Sequence, residues 1–222
     1  MQGRLYAGTS GFSYPTWRGG FYPAGARPEE FLRLYAEHLP SVELIATYRR
    51  MPSKEQVRRW AEQTPPGFRF APKLNGQISH GGKLGLMQPF GELMREFGDR
   101  LGPIRIQIVR RRDDDFLRRL LDALDPTLRY ALDLEHETWG SPEVDAATAA
   151  AAVARVGELD GVAPFRYVRF REPPYDEKAL AGWADRLRPL LADGIDVYCF
   201  FRHEDDPRGA RYAQRLLELV GS

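Results

Sequence analysis

Residues 129–136 read RYALDLEH, and the alternation within them decides the fold. Successive side chains on a strand point to opposite faces. Ala131, Asp133 and Glu135 therefore share one face, and Leu132, Leu134 and His136 share the other. The run is short, largely apolar and closed by charge. Four more stretches share this character: SVELIAT (41–47), FRFAPK (68–73), FRYVRFR (165–171) and DVYCFFRH (196–203). Each reads as a buried strand whose C-terminal end opens into a polar region. In a parallel β/α barrel that end is where ligands bind.

Working outward, helical patterns fill the gaps. Pro28, Glu29 and Glu30 suit a helical first turn, and Ser53 with Gln56 three residues on makes a capping box. Ser141-Pro142-Glu143 places a cap and then a proline at a helix start. Further strands are expected at Leu5–Gly8, Ile104–Ile108 and, within a run of alanines, Ala152–Val156. Eight strands alternating with helices predict the α/β class. The expected architecture is a single eight-stranded parallel β/α (TIM-type) barrel over residues 1–222, as one domain. The length of 222 residues suits this, since such barrels run from about 200 to 250 residues. A doubly wound open sheet is the alternative. Against it, no glycine-rich dinucleotide fingerprint opens the first helix.

Composition narrows the function classes. The chain carries 32 basic and 31 acidic residues, a net charge of +1, so it has no strongly basic footprint for nucleic acid. Hydrophobic residues make up 43%, enough for a sizeable core. The one cysteine, Cys199, sits mid-strand and reads as a small core residue. The first residues show no signal peptide, and no apolar run approaches the roughly 20 residues of a membrane span. A cytoplasmic protein without membrane contact is expected.

Several segments together resemble the YecE-like family of uncharacterised proteins. GTSGFSYPTWRGGFYP at Gly8–Pro23 is the most specific. VELIATYRRMPS (42–53), FRFAPK with His80 downstream, RLGPIRIQ (100–107), ALDLEHETW (131–139) and YVRF (167–170) follow in the expected order. The resemblance implies an eight-stranded β/α barrel and no settled activity. The chain departs from the family's pattern at Ile45, Arg49, Asp133, Glu135, Arg171 and Arg202-His203, all near strand ends.

Outer barrel faces pack on helices and must be apolar, so the polar strand faces should line the interior. That gathers Glu43, Asp133 and Glu135 near Lys73, Arg105, Arg169 and Arg171. Two readings stand: a buried ion-pair network, or a charged pocket opening at the strand ends. In the second, Lys73, Asp133 and Glu43 are the candidate acid–base groups. Arg169 and Arg171 would clamp an anionic, phosphorylated or carboxylate ligand. His80, Arg202 and His203 would line the same mouth. Tyr14 and Trp17, in the first long loop, would stack on a sugar or base, or pack on the rim. The histidine spacing matches no metal motif, so neither metal nor cofactor is expected. A small anionic ligand is the favoured partner and nucleic acid the less favoured one. A non-catalytic scaffold is a third reading.

Overall fold

The computed structural model describes residues 2–202 and 205–221. Along the chain run β1 (Leu5–Ser10), α1 (Phe31–Ala36), β2 (Ser41–Leu44), α2 (Ala46–Arg49), α3 (Lys54–Glu62) and β3 (Arg69–Pro72). Then come α4 (Gly76–Ser79), α5 (Met87–Met94), β4 (Ile104–Ile108), α6 (Asp114–Asp122), β5 (Tyr130–Leu134) and α7 (Pro142–Ala150). The last third holds β6 (Ala154–Arg155), β7 (Phe165–Phe170), α8 (Glu177–Ala192), β8 (Asp196–Phe201) and α9 (Arg208–Gly221). Helix starts follow local chemistry. Asp113, Ser141 and Asp176 each accept a hydrogen bond from the backbone N–H three residues on, satisfying a donor the helix itself cannot.

The strands fall close to their expected places, but they do not close into one eight-stranded barrel. One sheet has five strands in the order β3-β2-β1-β8-β7, and a second has three, β4-β5-β6. The expected TIM-type closure is therefore wrong. Between β3 and β4 only isolated bridges form, Phe70 with Leu101 and Lys73 with Arg105: three steps along one strand against four along the other. A ladder cannot hold register across that mismatch. Pro72 and Pro103 lie in the same stretch and have no N–H to donate. At the other break, β6 has only two residues, and the bond from Gly157 N–H to Tyr167 O, 2.9 Å, extends no ladder.

The chain also divides into two compact units. One is Met1–Glu43, Glu62–Arg69 and Val168–Ser222, and the other is Leu44–Ala61 and Phe70–Tyr167. In the first, β1 pairs in parallel with both β2 and β8. Gly8 sits opposite Ser41, and a Cβ there would lie 1.9 Å from the Ser41 carbonyl oxygen. Glycine therefore serves here for close approach within the strand. Beside it the Tyr35 hydroxyl stitches the two strands. It accepts from Thr9 N–H at 2.8 Å and donates to Ser41 O at 2.9 Å. Burial pushes its pKa up, so the group stays a neutral donor. Cys199 lies fully buried on β8, as expected of a core residue.

In the second unit β4 pairs with β5 along five residues, and β5 with β6 along two. Arg166, 6% exposed, works there as a clip. Its guanidinium donates to the carbonyls of Leu159, Ala163 and Phe165 at 2.5–3.0 Å, holding the segment before β7. Desolvation by that burial lowers its pKa.

The Tyr35 stitch yields a prediction. Tyr35→Phe keeps the ring and leaves the buried Thr9 N–H without its acceptor. An orphaned buried donor costs about 1–3 kcal/mol. The melting temperature should fall by roughly 2–12 °C for a chain of this size. An unchanged transition in a calorimetric scan would show that the stitch is dispensable.

Candidate functional site

At the C-terminal ends of β3, β4 and β5, in the second unit, four polar side chains come together. Lys73 follows β3, Gln107 lies near the end of β4, Glu135 follows β5, and His80 follows α4. Lys73 Nζ donates to Gln107 Oε1, and Gln107 Nε2 donates to Glu135 Oε1 at 2.6 Å. Opposite charges at its two ends orient the Gln107 amide, carbonyl toward the ammonium and NH₂ toward the carboxylate. Lys73 is half-buried and Glu135 is exposed, so this chain of contacts runs from the sheet out to solvent.

Local folding builds the platform beneath it. The sequence pattern carries β2 to Ala46, but the backbone turns helical at Ile45 and forms α2. The Thr47 hydroxyl pins that turn through the carbonyls of Leu44 and Lys73, at 2.9 and 2.7 Å. Tyr48 is thereby placed under Lys73, whose Nζ lies 3.8 Å from the ring centroid, a cation–π contact. The His80 ring meets the same tyrosine edge-on, with centroids 5.5 Å apart. Asn75 caps α4 through Gln77 N–H and anchors to Thr47 O at 3.0 Å. Loss of solvation, then the charges of Lys73 and Arg110, lower the pKa of His80, while Glu135 opposes them.

Asp133 does not join this chain of contacts. Both Nε and Nη2 of Arg105 donate to its Oδ2, at 2.9 and 2.7 Å, and the two residues are 4% and 1% exposed. In the first unit Glu43, wholly buried, meets Arg169 Nε at 3.1 Å, and Ser10 Oγ links them. Ser10 accepts from Arg169 Nη2 at 2.9 Å and donates to Glu43 Oε2 at 3.0 Å. Arg169 is thus matched by a carboxylate, and the anion clamp expected of Arg169 and Arg171 has no support here. Arg171 is half-buried past the end of β7, and Arg202 is exposed, its N–H held by Phe170 O at 2.8 Å. His203 lies outside the described residues.

Trp17 is completely buried, packed against Tyr14, Phe21 and Tyr22, and has no face left to stack on a ligand. The Tyr14 hydroxyl donates to Ser10 O at 2.6 Å. Among the described residues no group of three or more histidine, cysteine, aspartate or glutamate side chains is placed to hold a metal. No described helix is long and apolar enough to cross a membrane. Sequence reading missed Tyr48 and Ser79. Gln107 was visible on a polar strand face, but its bridging role depends on which strands are neighbours.

Residues 6–222 match the family described as protein of unknown function DUF72. The chain belongs to that family. UPF0759 protein YecE of Escherichia coli K12 is 31% identical over 140 residues, covering 60% of this chain and 48% of that protein. The matched stretch thus spans about half the length of this curated relative. Two DUF72 crystal structures show the same fold. TM1631 of Thermotoga maritima has a TM-score of 0.81 and 22% identity, covering 98% of this chain and 99% of that one. EF0366 of Enterococcus faecalis V583 has a TM-score of 0.79 and 17% identity, covering 100% and 99%. The resemblance to YecE-like proteins is confirmed at the level of family.

Two predictions follow from this geometry in the DUF72 chain. Asp133→Ala strands Arg105 in the interior, a change that costs about 3–5 kcal/mol when a buried pair is broken. The melting temperature should drop by roughly 6–20 °C; a loss under about 1 kcal/mol would show that water reaches Arg105. The second concerns His80, whose NMR titration midpoint should lie below 6.5. Lys73→Met removes a cation and should raise that midpoint; Glu135→Gln removes an anion and should lower it further. Because folding favours the neutral ring, its contribution to stability is present above pH 6.5 and is lost as pH falls from there through the folded value. Shifts of the same sign in both variants would contradict the arrangement.

Proposed function

We propose that this DUF72 protein binds a small polar molecule at the strand ends of β3, β4 and β5. Lys73, His80, Gln107 and Glu135 form the binding surface, and the reaction, if one is catalysed, is left open. The observation that carries this reading is the Lys73–Gln107–Glu135 chain of contacts. It combines an oriented ammonium with an exposed carboxylate at the C-terminal ends of parallel strands. In the other two charge clusters, Glu43–Ser10–Arg169 and Arg105–Asp133, each carboxylate is buried and met by an arginine, and both read as structural. Polar groups converging at strand C-termini are the usual setting for ligands in α/β proteins. The ligand class shifts accordingly, from an anion gripped by two arginines to a polar molecule that offers both donors and acceptors.

The test is a thermal-shift panel of monosaccharides, hydroxy acids, amino acids and nucleosides against wild type and Lys73→Met. A compound at about a hundred times its dissociation constant stabilises the bound fold by roughly 2.7 kcal/mol. That is about 5–11 °C in melting temperature. At least one compound should stabilise wild type and not the variant. Equal responses throughout, or binding only to a DNA duplex with steep salt dependence, would overturn the reading.

A further inference from the structure

His80 is the one titratable group of the cluster whose proton position follows from its neighbours. Its Nδ1 lies 2.9 Å from Ser79 Oγ. The Ser79 hydroxyl has one proton and two candidate acceptors, His80 Nδ1 and the Asn75 carbonyl, the latter 3.4 Å away. That carbonyl already takes N–H bonds from Ile78 and Ser79, at 3.0 and 3.1 Å. The ring nitrogen is the nearer of the two acceptors, and on that distance the hydroxyl donates to Nδ1. A ring that accepts at Nδ1 carries its own proton on Nε2. His80 is exposed, and no protein acceptor is seen for Nε2 among the described residues.

The other groups facing this ring are Lys73, Arg110, Glu135 and Tyr48. Lys73 and His80 both pack on Tyr48, the ammonium 3.8 Å from its ring centroid and the imidazole steeply inclined to its plane with centroids 5.5 Å apart. Two donors therefore lie about this tyrosine, a cation and a ring N–H. We infer that Lys73 and the Nε2–H of His80 together grip the carbonyl oxygen of the bound molecule, so that the ligand class is a small carbonyl compound. This rests on the binding site proposed above. Two donors of this kind polarise a C=O, and they stabilise negative charge that develops on its oxygen. Ser79 acts as a positioning residue, since it fixes the tautomer and does not touch the ligand.

The test uses dihydroxyacetone and glycerol, which differ only in carbonyl against hydroxyl at the central carbon. Nitrogen-15 NMR first reads the tautomer. Wild type should carry the proton on Nε2, and Ser79→Ala should shift the population toward Nδ1–H. Dihydroxyacetone should then move the His80 ring signals saturably, glycerol at the same concentration should not, and Lys73→Met should weaken the response at least tenfold. A wild-type ring protonated on Nδ1, or equal responses to the two probes, would overturn the inference. If compounds of the panel still bind in a Lys73-dependent way while His80 fails these tests, the carbonyl assignment falls alone. If Lys73→Met alters no response at all, the site falls with it.

Discussion

A carboxylate taken out of water must be met by a cation or by hydrogen bonds, and this requirement organises the interior of both units. Glu43 has no exposed surface, and it is tolerable there because Arg169 and Ser10 reach it. Asp133 is held by two nitrogens of Arg105. Pairs of this kind seldom add stability over apolar packing, yet losing one partner is expensive. Their geometry is met only in the observed strand placement. Ser10 on β1, Glu43 on β2 and Arg169 on β7 can meet only if their strands are placed correctly. Three elements far apart in sequence are locked by one small network.

Much of the fold was legible because strand and helix signals are local. Ile104–Ile108 is a strand where the alternation of isoleucine with polar residues put it, and Ser141-Pro142 starts α7. Closure was not legible, because it is a property of pairs of strands. The offset between β3 and β4 arises from how Phe70 and Lys73 find Leu101 and Arg105, and no single segment encodes it. The two prolines near that seam were readable as missing donors, but each alone is compatible with a strand end.

The site was legible in part. Period-two reasoning put Lys73, Asp133 and Glu43 on polar faces, and all three make polar contacts there. What it missed is the distinction between satisfied and outward-facing charge. Asp133 and Glu135 lie two residues apart on the same face, yet one is sealed against Arg105 and the other reaches solvent. That difference is set by depth along the strand. For the loop aromatics the sequence left two readings, stacking on a ligand or packing on the rim, and three aromatic neighbours enclose Trp17.

Arg166 carries a lesson about how this sequence can drift. Its guanidinium serves three backbone carbonyls, and its planar fork matches their directions. Lysine offers a compact point charge and cannot span the same set of acceptors. No side chain among those three partners can be exchanged to compensate, since the carbonyls belong to the main chain. Position 166 and the length of the segment from 159 to 165 are thus geometrically coupled: an insertion or deletion there would carry those carbonyls out of the guanidinium's reach.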